Sequence, residues 1–250
     1  MRVVAVIPAR FQSSRFPGKP LALINGKELI IRVAEQCEKA MPKKDIYIAT
    51  DSKKIFNLVK KKNYQCIMTK KSNLTGTDRV AEVATKVKAN IYLNVQGDEP
   101  LIKPASIKKI ISAKLKNYKN VICAYSKILD FGDEKNINIP KVVFNSKNEL
   151  LYISRSAIPF SKEQRSVNYF KQVCIYAFNR EELLMFKKFK KKPYLESIED
   201  IEILRFFELN KKIKMVKTES SSIAVDLPSD IKLVERILNK KNMKIKYESQ

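Results

Sequence analysis

The feature that most constrains the fold is a regular alternation of short apolar runs with longer amphipathic stretches. Helices that alternate with strands in this way connect neighbouring parallel strands of one sheet. The apolar runs predict strands at residues 3–8, 45–50, 65–68, 91–96 and 121–127. The amphipathic stretches predict helices at residues 27–40, from the second strand to residue 63, at 77–88 and from Pro104 onward. We therefore expect an α/β fold with a mainly parallel central sheet flanked by helices.

The alternation fails between about residues 131 and 178. Only short strands are predicted there, at residues 142–145, 150–154 and 173–178. Beyond this segment the pattern predicts helices at 180–190 and 198–209, a strand at 223–225 and a last helix at 228–238. No stretch rich in Gly, Pro or Ser divides the chain, so we expect a single domain over residues 1–250. Residues 131–178 would form an inserted subdomain that acts as a lid over the substrate.

Composition excludes several classes of protein. Of the 250 residues 44% are hydrophobic, which is enough for a buried core and excludes wholesale disorder. No apolar run reaches the ~18 residues that a membrane span needs, and the apolar N-terminal run is typical of a buried strand rather than a signal peptide. The chain has no histidine, which excludes Ser-His-Asp and Cys-His catalysis and His-ligated metals. The four cysteines are too far apart for a zinc site, and we expect free thiols and a cytoplasmic protein.

The formal net charge of +24 is typical of proteins that bind nucleic acid or an anionic membrane surface. Forty of the fifty basic residues, however, are lysines, and they are scattered over whole predicted helices without an aromatic platform on which bases could stack. This pattern favours a solvated surface, so we expect neither a specific nucleic-acid partner nor membrane insertion. A lysine-rich protein that binds nucleic acid or a membrane surface is kept as a distant alternative.

A basic loop follows the first predicted strand, over residues 8–20. It carries Arg10, Arg15 and Lys19 together with two serines and Gly18. In an open parallel sheet, ligands bind beyond the carboxyl ends of the strands, and such a loop can cradle a polyphosphate with fixed cations and backbone N–H groups. The loop matches neither the Walker A motif nor Gly-x-Gly-x-x-Gly. An ordinary basic surface loop is the alternative.

Carboxylates follow two other apolar runs. Gly97 and Asp98 come directly after the fourth strand, and Asp226 closes the run at residues 223–225. Carboxylates that are few in number and complemented by phosphate oxygens suit Mg²⁺. Gly-Asp also occurs in plain turns, and Asp226 or Ser229 could instead cap the last helix.

Six segments of the sequence, in order and over nearly its full length, resemble one known family. They are residues 8–21, 24–27, 49–51, 75–79, 94–100 and 225–230. The family is that of the CMP-Kdo synthetases, or 3-deoxy-manno-octulosonate cytidylyltransferases, which have the nucleotide-diphospho-sugar transferase fold. The resemblance implies a reaction of CTP with a 3-deoxy ulosonic acid that gives a CMP-sugar and pyrophosphate. It also implies Mg²⁺, a role in lipopolysaccharide biosynthesis and a homodimer, with residues 131–178 as the expected dimer contact.

The resemblance also implies roles for individual residues at the positions that match. The nucleotide would be held by Arg10, Arg15, Lys19, Gly76 and Arg79, and the metal by Asp98 and Asp226. The sugar acid would contact Gln96, Arg155, Gln172, Tyr176 and Glu196, with Arg155 on its carboxylate. The anomeric hydroxyl would attack the α-phosphorus, with Lys19, Arg10 and Asp98 as the catalytic residues and without an obvious general base.

Two positions depart from the family pattern, and both belong to the part of the pattern that the resemblance associates with the sugar substrate. Gln172 stands where the family usually has His, and Ser197 stands where it often has Gln. Cytidylyl transfer is therefore a firmer expectation than Kdo as the acceptor. An 8-amino-8-deoxy form of Kdo, or a sialic-acid-like sugar, is the alternative acceptor.

Overall fold

The computed structural model describes residues 1–13, 15–130, 132–163, 165–219 and 223–248. The strands in these ranges are β1 (Val3–Ala9), β2 (Leu23–Ile24), β3 (Lys27–Glu28), β4 (Ile46–Thr50), β5 (Gln65–Met68), β6 (Ile91–Val95), β7 (Val121–Lys127), β8 (Lys141–Phe144), β9 (Leu150–Ser154), β10 (Phe170–Asn179) and β11 (Ile213–Lys217). The α-helices are α1 (Leu29–Glu38), α2 (Lys53–Lys61), α3 (Gly76–Lys86), α4 (Pro104–Lys116), α5 (Arg180–Phe186), α6 (Tyr194–Glu199), α7 (Arg205–Glu208) and α8 (Pro228–Glu248).

The central sheet has the strand order β11-β7-β10-β6-β1-β4-β5. Strand β10 is antiparallel to β6 and β7, while the pairs β1/β4, β1/β6, β4/β5 and β7/β11 are parallel. Strands β8 and β9 extend from β10 as an antiparallel pair. The predicted α/β class with a mainly parallel sheet is confirmed.

Helices cover both faces of the sheet, and the side chains of β1 show why. Ala5 and Ile7 pack with residues of α1, α2 and α4, whereas Val4 and Val6 pack with residues of α3 and α5. All four side chains are fully buried. A strand that is apolar on both faces is what a sheet between two helical layers requires.

The C-terminal part differs from the sequence-based prediction in several places. Residues 223–225 form no strand, and the last strand among the described residues is β11. The helix predicted at 198–209 is broken: α6 ends at Asp200, which has a φ of 50°, and a short 3₁₀ turn precedes α7. The helix predicted at 180–190 ends at Phe186, and the last helix continues to Glu248 rather than to 238.

Residues 131–178 are only partly separate from the central sheet. Strands β8 and β9 lie off its main path, but β10 lies between β6 and β7. Across from β7, β10 has a register shift between Val173 and Tyr176, which marks a bulge. This bulge lies beside the cleft described below. Residues 131–178 therefore reach both the edge of the sheet and the end of the sheet at which the cleft opens.

All four cysteines are free thiols, and three of them are buried. Burial raises the pKa of the Cys37 and Cys123 thiols to about 12, which makes them inert space-filling side chains. Within the described ranges, no helix is both long and apolar enough to cross a membrane.

Candidate active site

A cleft of about 590 Å³ opens at the carboxyl ends of β1 and β6. All but one of the residues to which the family resemblance assigns a role line this cleft, namely Arg10, Arg15, Lys19, Gly76, Arg79, Gln96, Asp98, Arg155, Gln172, Tyr176 and Asp226. The exception is Glu196. The cleft lies where ligands are expected in an open parallel sheet.

The basic loop leaves β1 and turns back over the end of the sheet. The backbone N–H of Gly18 donates to the carbonyl of Phe11 at 2.9 Å, and Gly18 has a φ of 73°, a conformation that side chains disfavour. The turn that starts at Lys19 points its side chain into the cleft. Arg10 is exposed at the cleft wall and makes no ion pair with the described residues.

Two carboxylates meet at one end of the cleft. The N–H of Val225 donates to the carbonyl of Asp98 at 2.8 Å, which holds the segment before α8 against the end of β6. The Lys19 ammonium lies 2.7 Å from Oδ2 of Asp98 and 3.4 Å from Oδ1 of Asp226. Arg15 lies 3.1 Å from the same Asp226 oxygen. Two acidic residues that are distant in sequence therefore share one lysine.

The side chain of Asp226 does not cap the last helix. Among the described residues, no N–H group of α8 donates to it, while Asp230 in the first turn of α8 accepts 2.8 Å hydrogen bonds from the backbone N–H groups of Asp226 and Leu227. The Asp226 carboxylate is consequently left to face Lys19 and the cleft.

Gly97 explains how Asp98 reaches the cleft. A Cβ atom on Gly97 would lie 2.7 Å from the carbonyl oxygen of Pro8, which is closer than real Cβ atoms approach. Only glycine lets the chain after β6 pass this close to the end of β1. The close approach brings Asp98 next to the basic loop.

Arg79 lies at the start of α3 and is almost fully buried. Its guanidinium donates to Asp51 Oδ2 at 2.6 Å and to Thr69 Oγ1 at 2.7 Å. The other Asp51 oxygen accepts from the N–H of Phe11 at 3.3 Å. Arg79 therefore holds Asp51, and through it the basic loop, in position.

At the other end of the cleft, Arg155 is bound mainly to backbone. Its Nε, Nη1 and Nη2 donate to the carbonyls of Glu199, Ile137 and Asp200 at 2.6, 2.8 and 3.2 Å. A guanidinium carries five N–H donors, and these contacts use three of them. Arg155 thus fixes the local backbone and retains donors for a ligand.

Gln172 and Tyr176 form the adjoining wall and are both buried. The Gln172 amide donates to the Tyr176 hydroxyl at 3.0 Å. Burial raises the pKa of Tyr176 well above its ordinary value, so the phenol is neutral at physiological pH. With the amide N–H₂ fixed by Tyr176, the Gln172 carbonyl oxygen is an acceptor for a ligand group. Ser197, the other departure from the family pattern, is exposed and lies outside the cleft lining.

Glu196 does not line the cleft. It is fully buried, and its two carboxylate oxygens each accept a 2.6 Å hydrogen bond from Arg205. The same guanidinium binds Asp78 at 2.7 and 3.2 Å and lies 3.8 Å from the centre of the Phe186 ring. The direct sugar contact expected of Glu196 does not fit this position, because its carboxylate is committed to a buried ion cluster.

Glu202, which the sequence analysis missed, lines the cleft instead. Its Oε1 accepts from the Gln96 amide at 2.9 Å, and its Oε2 accepts from the N–H of Thr77 at 2.8 Å. Burial raises the pKa of the Glu202 carboxyl. The carboxylate thereby links the start of α3 to Gln96, which follows β6.

Comparison with known structures shows that the fold is that of nucleotidyltransferases. A glucose-1-phosphate thymidylyltransferase from Bacillus anthracis shares the fold, with a TM-score of 0.65 at 12% identity over 94% of both chains. The structure of a CMP:2-keto-3-deoxy-manno-octonic acid synthetase complexed with CTP has a TM-score of 0.90 at 32% identity, covering 96% of this chain and all of that one.

Sequence comparison narrows the class. The family model described as cytidylyltransferase matches residues 4–213. A 3-deoxy-manno-octulosonate cytidylyltransferase of Christiangramia forsetii is 36% identical over 95% of this chain and 97% of its own length. An 8-amino-3,8-dideoxy-manno-octulosonate cytidylyltransferase of Shewanella halifaxensis is 38% identical over 94% of this chain and 98% of its own length. The chain belongs to the cytidylyltransferase family and, within it, to the group of these octulosonate-activating enzymes.

Proposed function

We propose that this enzyme transfers the cytidylyl group of CTP to the anomeric hydroxyl of the 3-deoxy ulosonic acid Kdo, giving CMP-Kdo and pyrophosphate. The observation that carries the proposal is the division of the cleft. One end holds Arg10, Arg15 and Lys19 beside two carboxylates, and the other holds Arg155 and Lys192 together with hydrogen-bonding side chains such as Gln96 and Gln172. This arrangement suits a triphosphate at one end and a hydroxylated acid at the other.

Positioning and charge neutralisation account for the chemistry. The sugar hydroxyl attacks the α-phosphorus in line with the departing pyrophosphate, and such transfers need little covalent help from the protein. Arg10 and Lys19 offset the charge that develops on the leaving group. Arg155 binds the carboxylate of the sugar acid with its remaining donors, while Gln96 and Glu202 bind sugar hydroxyls.

The residues present fit a Mg²⁺ ion. Two carboxylates already converge on a single ammonium, and carboxylate oxygens are ligands that Mg²⁺ prefers. Among the described residues there is no group of three or more metal-binding side chains, so phosphate oxygens would complete the shell. Asp98 and Asp226 would hold the ion, which, when bound, would neutralise phosphate charge and lower the pKa of the attacking hydroxyl.

The proposal extends to assembly and cellular role. We propose that residues 131–178 form a homodimer contact as well as a lid, which the exposure of the apolar side chains Ile137, Leu151 and Phe160 by 67%, 60% and 87% supports. A CMP-activated Kdo would enter lipopolysaccharide biosynthesis in the cytoplasm, where CTP is available. The spread of lysines over the surface gives no support to a specific nucleic-acid partner.

The test is pyrophosphate release from CTP and Mg²⁺ with a panel of sugar acids. We expect turnover with a 3-deoxy ulosonic acid and a loss of about a hundredfold or more in Asp98→Asn and Asp226→Asn. Asp133→Asn, which changes a carboxylate outside the cleft, is the matched control. Turnover with none of the acids, or normal turnover in both cleft variants, would overturn the proposal.

A second acceptor, the 8-amino analogue of Kdo, is favoured by one observation. The Gln172 carbonyl oxygen is oriented as an acceptor by the contact with Tyr176, and an amine is a better partner for it than a hydroxyl. If the pocket is tuned to the amine, the wild type prefers the amino sugar and Gln172→His shifts preference toward Kdo. Equal selectivity of the two proteins would show that Gln172 is a neutral replacement for His.

A further inference from the structure

Lys192, which follows two exposed lysines, lines the end of the cleft that is proposed to bind the sugar acid. Lys190 and Lys191 are exposed, but Lys192 lines the cleft, with 28% of its side chain exposed. Its ammonium lies 2.5 Å from Oδ1 of Asp200, which is itself 70% exposed. No other hydrogen bond from this ammonium to the described residues is found, so two of its three donors remain free.

The two ends of helix α6 explain the placement. Lys192 precedes Pro193 at the start of α6, and Asp200 ends the helix with a φ of 50°. Arg155 donates to the carbonyl of Asp200 at 3.2 Å and so holds this end of the helix beside the cleft. Lys192 and Arg155 therefore approach the same part of the cleft wall from two different elements.

The Asp200 carboxylate lies close to several cations. Its pKa is held below the ordinary value first by the hydrogen bond from Lys192 and also by the charges of Arg155 and Arg10. Because the Asp200 side chain is 70% exposed, the Lys192–Asp200 pair is screened by solvent and can be exchanged at little cost. An anionic ligand group that enters here would compete with Asp200 for the same cations.

We propose that Lys192 is a further substrate-binding residue, whose ammonium exchanges Asp200 for the carboxylate of the acid sugar beside Arg155. This inference rests on the proposed function, because it assumes an acidic acceptor at this end of the cleft. Lysine suits the exchange, since its flexible stem lets a point charge move between two carboxylates. Asp200 serves as the internal counter-ion that keeps the ammonium at the cleft wall.

The first experiment compares Lys192→Met with Lys191→Met, which removes the same charge one residue away and outside the cleft. With CTP saturating, we expect the KM for the sugar acid to rise about two- to fivefold in Lys192→Met, the size expected of a partly exposed charge pair, and to stay unchanged in Lys191→Met. The KM for CTP should be unaffected in both variants. A rise in the KM for CTP instead would assign Lys192 to the triphosphate, and no difference between the variants would overturn the proposal.

The second experiment separates binding from a purely structural ion pair. Asp200→Asn keeps a residue type that tolerates positive φ but removes the competing carboxylate, so the affinity for the sugar acid should increase by about twofold or more. A structural pair would instead lose affinity in both Asp200→Asn and Lys192→Met, and that result would overturn the proposal.

Equilibrium calorimetry with the sugar acid and with its neutral carboxamide completes the test. Lys192→Met should weaken binding of the acid but not of the carboxamide. Because calorimetry needs no turnover, it decides the role of Lys192 even if pyrophosphate release fails. Absent turnover with normal acid binding would count against the proposed function alone.

Discussion

Replacing Lys19 with Met should strengthen the binding of a divalent cation in the absence of CTP, while it abolishes turnover. In the structure the Lys19 ammonium lies 2.7 Å from Asp98 and 3.4 Å from Asp226, the two carboxylates proposed to hold the metal. A cation that already satisfies these oxygens competes with any divalent ion that uses them. Removing the ammonium leaves two carboxylates facing each other, and their mutual repulsion favours an added cation.

The magnitude follows from the exposure of the pair. The Lys19 and Asp98 side chains are 15% and 27% exposed, which places the contact between a surface pair and a buried one. A charged hydrogen bond contributes about 1.5–3 kcal/mol when well shielded and an exposed pair about 1 kcal/mol or less. We take about 1.4 kcal/mol, which corresponds to about tenfold tighter binding of the cation.

The assay is electron paramagnetic resonance of Mn²⁺, titrated into the protein without CTP. Lys27→Met is the matched control, since Lys27 also pairs with a carboxylate, Glu35 at 2.6 Å, but lies outside the cleft. Turnover of Lys19→Met should fall by about a hundredfold or more, because the triphosphate loses a fixed cation. If Lys19→Met bound Mn²⁺ no better than the control, the assignment of Asp98 and Asp226 as the metal ligands would be refuted.

Two further predictions concern the scaffold. Lys114→Met leaves Glu182 buried without the ammonium that now lies 2.7 and 2.9 Å from its two oxygens, which should cost about 3–5 kcal/mol of unfolding free energy. Burial already raises the pKa of Glu182, so in this variant the native state binds the proton more tightly than the unfolded state. The unfolding free energy therefore falls as pH rises through the folded pKa. Urea titrations at pH 5 should accordingly show a smaller loss of stability than titrations at pH 7.5. A pH-independent penalty would contradict this reading. Gly97→Ala should reduce turnover far more than Gly76→Ala. The new methyl group at position 97 would meet the backbone of Pro8, whereas the one at position 76 would meet the Gln96 side chain. Equal losses of turnover would show that the close approach of Gly97 to Pro8 does not position Asp98.

The order of the strands alone predicts only part of the site, and Gly76, Arg79, Gln172 and Tyr176 came from the family resemblance instead. Arg10 and Lys19 follow β1 and Asp98 follows β6, and the carboxyl ends of neighbouring parallel strands meet at one edge of a sheet. Strand β11 was missed because it lies at the sheet edge, where lysines alternate with apolar residues. Residues 223–225 are equally apolar, yet they serve to hold Asp98 in place rather than to extend the sheet.

The choice between Glu196 and Glu202 could not be made from sequence. Both lie in a short acidic segment, and a continuous helix through it would place them on faces different from those observed. The left-handed conformation of Asp200 changes the direction of the chain between them. As a result Glu196 faces Arg205 in the interior and Glu202 faces the cleft. The difference depends on the backbone conformation of Asp200, which helix propensity does not encode.

The lysine excess shows a related limit of sequence-based prediction, because lysines that cannot be distinguished by residue type have different roles according to their burial. Lys191 is solvated, Lys114 is buried in an ion pair, and Lys19 and Lys192 line the cleft. Each of the two cleft lysines is held by a carboxylate, Lys19 at the phosphate end and Lys192 at the sugar end. Binding of two anionic substrates would then exchange existing ion pairs instead of creating charge contacts from fully hydrated groups. The existing ion pairs keep both ammonium groups ordered before binding, and this ordering lowers the side-chain entropy that the protein loses when each substrate binds.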